Sequence, residues 1–163
     1  MQIKDVMTRP VVTCAAATTL DQAARLMWDF DCGIIPVVGD DGRVAGVVTD
    51  RDICMAAYTQ GRALSDIPVS TAMAEHVVAG HLDDTVEHVE SLMRTSQIRR
   101  VPILDGDDRL AGVVSLNDLA RVAVRARRNG VDRELVKTMA AVCQPRNGAV
   151  PVPAAVVRHS LAV

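Results

Sequence analysis

The stretch Ala45-Gly46-Val47-Val48-Thr49-Asp50-Arg51-Asp52-Ile53 returns 66 residues later as Ala111-Gly112-Val113-Val114-Ser115-Leu116-Asn117-Asp118-Leu119. Both copies read Gly-apolar-apolar-Thr/Ser-x-x-Asp-apolar. The β-branched run suits a strand, the hydroxyl residue suits a helix N-cap, and the acid falls in the first helical turn. At the same offset, and without a gap, Met7 to Ile53 aligns with Met73 to Leu119, with matches at Val11/Val77, Val12/Val78, Thr19/Thr85, Leu26/Leu92, Met27/Met93, Pro36/Pro102 and Arg43/Arg109. Self-similarity at one fixed offset marks a duplicated unit. Each unit is too small to close its own core, so the two are expected to pack on each other with any ligand site between them.

Each copy predicts the same elements. Val11-Val12-Thr13 and Val77-Val78-Ala79 read as short strands, and Thr19 and Thr85 as helix caps. Leu20, Ala23, Ala24 and Met27, or Val86, Val89, Leu92 and Met93, recur at helical spacing and give one buried face. Ile34-Ile35-Pro36-Val37-Val38 and Arg100-Val101-Pro102-Ile103-Leu104 then pair with the return strands Arg43 to Val48 and Arg109 to Val114 across Gly/Asp turns. The proline is expected early in its strand, where a missing N–H does least harm. Lys4 to Met7 and Ser65 to Val69 read as a short lead-in to each copy. The expected class is α/β (α+β): two β-α-β-β-α repeats packed through their sheets, then a C-terminal helix and a tail. After Leu119 a basic stretch, Arg121, Arg125, Arg127 and Arg128, is expected to break at Asn129-Gly130. Val131 to Val142 then carries an apolar stripe of Val131, Leu135, Met139 and Val142 that wants a partner. The Pro-, Ala- and Val-rich tail to Val163 reads as disordered by composition.

Composition narrows the function. Eighteen basic against twenty acidic side chains leave a net charge of −2, with no field to hold nucleic acid. Trp28, Phe30 and Tyr58 are the only aromatics, too few for base-stacking platforms. No apolar run approaches the roughly 20 residues that span a bilayer, and the start Met1-Gln2-Ile3-Lys4-Asp5 has no signal-peptide shape, so a soluble cytoplasmic protein without membrane partners is expected. Cys14, Cys32, Cys54 and Cys143 lack metal-ligand spacing and read as small buried hydrophobes. His76, His81, His88 and His159 share no ligand spacing, so no metal site is expected. The acid pairs Asp40-Asp41, Asp83-Asp84 and Asp107-Asp108 suit turns and helix starts. No base or nucleophile stands beside them, which argues against an enzyme.

The repeated hydroxyl and carboxylate admit two chemistries. At a strand end and a helix N-terminus they form a polar pocket suited to a sugar phosphate, the carboxylate accepting from ribose hydroxyls while backbone N–H groups face the phosphate. The same residues also satisfy a capping box, in which Thr49 or Ser115 caps the helix and the acid answers from the third position.

Strand, helix, hairpin with apolar-Pro-apolar, then Gly-apolar-apolar-Thr/Ser-x-x-Asp, twice in tandem over roughly residues 1 to 125, resembles a pair of cystathionine β-synthase (CBS) domains, a Bateman module. It is also similar to bacterial stand-alone CBS proteins, including actinobacterial hypoxic-response proteins. On that resemblance residues 1–64 form repeat 1, 65–128 repeat 2, and 129–163 the C-terminal helix and tail. The resemblance implies no required cofactor but an adenosine-containing regulatory ligand, of the AMP, ADP, ATP or S-adenosylmethionine class. Asp52 and Asp118 would hold ribose, Thr49 and Ser115 would lie near phosphate, and the backbone at Val12-Thr13 and Val78-Ala79 would line adenine. Arg51 and the apolar-Pro strands at Ile35-Pro36 and Val101-Pro102 complete the implied ligand-binding set. The family's basic pair matches Arg99-Arg100, while Gly33-Ile34 stands at that place in the first copy, so phosphate recognition is expected to be unequal, with a charged nucleotide favoured where Arg99 and Arg100 reach and held together with Asp118 and Ser115. The resemblance also implies a homodimer, which the stripe from Val131 to Val142 would serve. The competing expectation is a ligand-free interaction or structural module, of a stress-related kind, that binds an unidentified protein partner.

Overall fold

The structure, a computed structural model, describes residues 1–126 and 131–144. A 3-10 turn, Ile3–Asp5, precedes α1 (Leu20–Asp29), β1 (Ile34–Val38), β2 (Val44–Thr49) and α2 (Asp50–Gln60). Two further turns, Leu64–Asp66 and Val69–Thr71, lead to β3 (Gly80–His81), α3 (Val86–Ser96), β4 (Arg100–Leu104), β5 (Leu110–Ser115), α4 (Leu116–Ala126) and α5 (Val131–Val142). The expected break at Asn129-Gly130, the residues Arg127, Arg128 and His159, and the tail beyond Gln144 lie outside the described residues, as does the side chain of Arg125.

Local chemistry sets the element boundaries. Thr19 and Thr85 are the N-caps of α1 and α3. The Thr19 amide donates to Gln22 Oε1 at 3.3 Å, and Thr85 Oγ1 accepts from the His88 amide at 3.2 Å. The hairpins β1–β2 and β4–β5 share one register, Pro36 opposite Val47 and Pro102 opposite Val113, with a bulge before the last pair in each. Their turns use a left-handed residue at equivalent places, Gly42 at φ +80° and Asp108 at φ +60°.

Two details of the strands differ from expectation. Neither Val11-Val12-Thr13 nor Val77-Val78-Ala79 is a strand. The pairing comes later, as a single parallel bridge at Cys14 to Val37 and as β3 beside β4. The chain passes so closely there that a Cβ on Gly80 would lie 3.2 Å from Ile103 Cδ1 and 3.3 Å from Val89 Cγ2, so a small residue rather than a β-branched one sets the contact. Each proline also lies third of five in its strand rather than early. Its neighbours show why this is tolerated: Cys14 N–H donates to the Pro36 carbonyl at 3.2 Å and Val38 N–H to the Cys14 carbonyl at 2.9 Å. In a strand a residue's N and C=O face the same side, so the missing Pro36 donor falls where that pairing has only begun.

The two repeats are interlocked rather than merely apposed. Ile3 and Met7 lie in the core of repeat 2 with Val89, Met93, Val101 and Ile103, whereas Ile67 and Val69 lie in the core of repeat 1 with Leu20, Ile35 and Val37. The crossing obeys the 66-residue offset down to single hydrogen bonds. Ile3 N–H donates to the Asp84 carbonyl at 2.8 Å and Val69 N–H to that of Thr18 at 2.7 Å; Thr8 pairs with Val113, and Ala74 with Val47. Met7 packs against Gly112, and Met73 against Gly46, each glycine leaving room that a side chain would fill. A single antiparallel bridge, Arg43 to Arg109, links the repeats just ahead of β2 and β5. Each lead-in thus satisfies backbone and core of the other repeat, which is how two units too small alone share one fold.

The stripe of α5 finds its partner within the chain. α5 packs on α3 and α4, burying Leu135, Thr138 and Val142, and Arg94 Nη1 donates to Thr138 Oγ1 at 3.1 Å. Leu135 and Val142 are therefore core of repeat 2 rather than a free dimer face, while Met139 stays exposed. All four cysteines are free; Cys14 is buried as expected, but Cys54 and Cys143 are exposed. Among the described residues no helix is long and apolar enough to cross a membrane.

Candidate functional site

The two Thr/Ser-x-x-Asp turns stand where β2 runs into α2 and β5 into α4. In repeat 1, Thr49 N–H and Oγ1 donate to Asp52 Oδ2 at 2.9 and 2.7 Å, and Thr49 Oγ1 accepts from Asp52 N–H at 3.3 Å. In repeat 2, Ser115 repeats the pattern on Asp118 Oδ2 at 2.7, 2.6 and 3.2 Å. The capping box is therefore present in both copies. It uses one carboxylate oxygen and leaves Oδ1 for something else.

What Oδ1 meets separates the copies. Asp118 is 5% exposed, and its Oδ1 accepts from Thr8 Oγ1 at 3.2 Å and from the Arg121 guanidinium. Asp52 is half-buried, and among the described residues its Oδ1 accepts no hydrogen bond. The cause is in the sequence: the counterparts of Thr8 and Arg121 in the other copy are Ala74 and Met55, neither of which can donate from its side chain. Neither Thr8 nor Arg121 was expected at the site. Arg121 was legible as a base one helical turn after an acid, but Thr8 arrives by the crossing of lead-ins.

The remaining expected residues fall into three groups. Ile35, Pro36, Val101 and Pro102 are buried, Ile35 and Val101 completely, so they support the turns from the core. Val12, Thr13, Val78 and Ala79 are half-buried loop residues ahead of the pairing contacts at Cys14 and Gly80. Arg51 and Arg99 are exposed, with the Arg99 carbonyl accepting from Leu116 N–H at 3.0 Å. Arg100 leans out of repeat 2 toward repeat 1: a Cβ on Gly33 would stand 2.7 Å from its Nη2 and 3.1 Å from Asp50 Oδ2. Its charge is felt at Cys32, whose thiol burial pushes up and Arg100 partly restores. A guanidinium thus lies near the N-terminus of α2, the end of the helix that favours anions and that carries Asp52. Among the described residues no group of three or more His, Cys, Asp or Glu is placed to hold a metal ion.

A family model for the CBS domain matches residues 3–58 and again residues 64–125. CBS domain-containing protein YhcV of Bacillus subtilis (strain 168) is 42% identical over 118 residues, 72% of this chain and 82% of its own length. Hypoxic response protein 1 of Mycobacterium tuberculosis (strain H37Rv) is 28% identical over 142 residues, 87% of this chain and 94% of its own. The crystal structure of the CBS domain pair of protein MJ0100, in complex with 5′-methylthioadenosine and S-adenosyl-L-methionine, matches with a TM-score of 0.68 at 26% identity, covering 75% of this chain and 98% of that one. Duplicated sequence, crossed lead-ins and paired hydroxyl–carboxylate turns converge on one conclusion: the chain belongs to the CBS-domain family and carries the domain as a tandem pair.

Proposed function

We propose that this CBS pair is a non-catalytic regulatory module that takes an adenosine-containing ligand at the Asp52 turn. The observation that carries this is the unused Oδ1 of Asp52 beside a saturated Asp118. A carboxylate oxygen at a half-buried helix start, with Arg100 nearby, offers an acceptor for ribose hydroxyls and a cation for a phosphate or carboxylate. Ala74, paired with Val47, brings the lead-in of repeat 2 to the repeat that holds Asp52. Val78-Ala79 runs between that contact and the pairing of Gly80 with Ile103 of repeat 2, and Val12-Thr13 between Thr8–Val113 and Cys14–Val37, so both runs cross from one repeat to the other, which supports them as lining for a site between the repeats. The MJ0100 domain pair, 26% identical, was crystallised with 5′-methylthioadenosine and S-adenosyl-L-methionine, which supports the ligand class. Regulation follows if the ligand favours one arrangement of the repeats over another.

The saturated Asp118 favours a second reading for its own cleft, a purely structural role in holding Thr8 and α4 together. The test for the module as a whole is a thermal-shift screen against AMP, ADP, ATP, S-adenosylmethionine and 5′-methylthioadenosine. A ligand at a hundred times its Kd stabilises the native state by about 2.7 kcal/mol, roughly 5–10 °C for a chain of this size. A concentration-dependent rise that Asp52→Ala abolishes supports the sensor. No rise with any of the five at millimolar concentration removes it and leaves the ligand-free interaction module.

A further inference from the structure

Within the contact between α3 and α5 lies a buried acid without a partner. Glu90 is 3% exposed, yet among the described residues no hydrogen bond or ion pair reaches its carboxylate. Arg94 stands four residues further along α3, the spacing at which a helical acid and base pair. Its guanidinium turns instead to α5, with Nη1 3.4 Å from Glu134 Oε2 and 3.1 Å from Thr138 Oγ1. One cation therefore has two sets of partners: those on α5, which it holds, and the acid of its own helix, which it leaves unpaired. Burial without a partner favours the neutral form of a carboxyl and pushes that of Glu90 up.

The arrangement occurs only where α5 docks. Moved back by the 66-residue offset, Glu90 and Arg94 become Ala24 and Trp28, neither of them ionisable, and those two residues line an open groove between α1 and α2. The other charges facing Glu90 are Glu87 of α3 and Glu134 of α5, both of which repel its anion, and Lys137 Nζ donates to Glu134 Oε1 at 2.7 Å. Arg133 of α5 is exposed, and Arg100, the one charged residue of β4, lies against Gly33 of repeat 1.

We propose that Glu90 and Arg94 form a proton-operated latch for α5. With Glu90 neutral, Arg94 clamps α5 through Glu134 and Thr138. With Glu90 ionised, Arg94 is drawn back to it, and α5 opens more often from the α3–α4 surface on which Leu135 and Val142 rest. The docked state binds the proton more tightly than the open one. Docking is therefore fully stabilised below the open-state value of about 4.3 and weakens as pH rises through the docked-state value. Across that window the opening constant climbs by at most about tenfold per pH unit, the limit for a single proton, and above it levels off.

Hydrogen exchange read by mass spectrometry on the full chain, from about pH 5 to about pH 8 with times rescaled for the intrinsic rate, tests this. The amides from Leu135 to Val142 should lose protection as pH rises, while those of β4 and β5 keep theirs. Glu90→Gln should hold α5 at its acid-end protection throughout, and Glu90→Ala repeats that arm should Glu90→Gln fail to fold. Arg94→Gln should loosen α5 even at the acid end, where Glu90 no longer competes for the guanidinium. Three results overturn the latch: α5 protection that follows β4 and β5 at every pH, a pH response that survives in the Glu90 variants, or an Arg94→Gln chain that matches wild type at the acid end.

Discussion

Replacing Gly112 by alanine probes the interlock of the two repeats at its tightest point. A Cβ there would occupy the space held by the Met7 sulfur and would stand 2.9 Å from Met7 Cγ. Forcing one carbon into a packed core costs about 1–3 kcal/mol, while alanine returns about 0.4–1 kcal/mol by restricting the unfolded chain. The net loss is up to about 2.6 kcal/mol, a fall in melting temperature of up to roughly 10 °C at this chain length. Gly46→Ala should lose at least as much, because its Cβ meets the Ala74 carbonyl oxygen at 3.0 Å as well as Met73 Sδ at 2.8 Å, and backbone yields less than a thioether. Gly106→Ala is the control: no atom lies within 4 Å of its Cβ and its φ is not positive, so it should gain about 0.4–1 kcal/mol. Urea and thermal melts followed by circular dichroism measure all three. Combining Gly112→Ala with Met7→Ala then isolates the contact. Truncating Met7 alone costs about 2–5 kcal/mol, but the new methyl group fills part of the space it leaves, so the double variant should fall short of additivity by at least ~0.5 kcal/mol. Gly112→Ala behaving like Gly106→Ala, or strict additivity with Met7→Ala, would refute the crossed packing of the lead-ins.

Three further outcomes follow from individual side chains. Thr49→Ala removes the acceptor for the Asp52 amide at the start of α2 and should cost about 1 kcal/mol in urea denaturation. Burial pushes the Glu90 carboxyl up beneath α5, with Arg94 opposing and Glu87 and Glu134 adding to the rise. The native state therefore binds that proton more tightly than the unfolded chain. The stabilisation is full below the unfolded value of about 4.3 and is lost as pH rises through the raised native value. Glu90→Gln should consequently melt higher than wild type at pH 7, with the difference closing toward pH 4. Thr8→Ala combined with Arg121→Ala frees Oδ1 of Asp118, and calorimetric titration should then count a second adenosine ligand where wild type binds one.

Much of the fold was legible because it repeats. Thr19, Thr49, Thr85 and Ser115 act where capping chemistry puts them, and both hairpins carry their prolines at matching register. The crossing of the lead-ins was not legible, since a period of 66 residues reads the same whether Met7 packs on its own repeat or on Gly112 of the other. That crossing also hid Thr8 from the site, and with it the reason why Asp118 is saturated and Asp52 is not. The runs at Val11 and Val77 look like strands by side chain, yet pairing is decided by how closely the backbone approaches, which favours Cys14 and Gly80. For α5, amphipathic spacing announces a buried face but not what buries it. The answer, α3 and α4, depends on tertiary placement.

Isothermal titration of the wild-type chain, Asp52→Ala and Asp118→Ala with S-adenosylmethionine, 5′-methylthioadenosine, AMP and ATP tests the central claim most directly. One saturable site per chain, absent in Asp52→Ala and kept in Asp118→Ala, is the predicted result. No heat of binding from any of the four at millimolar concentration, or a site that vanishes with Asp118→Ala and survives Asp52→Ala, would contradict it.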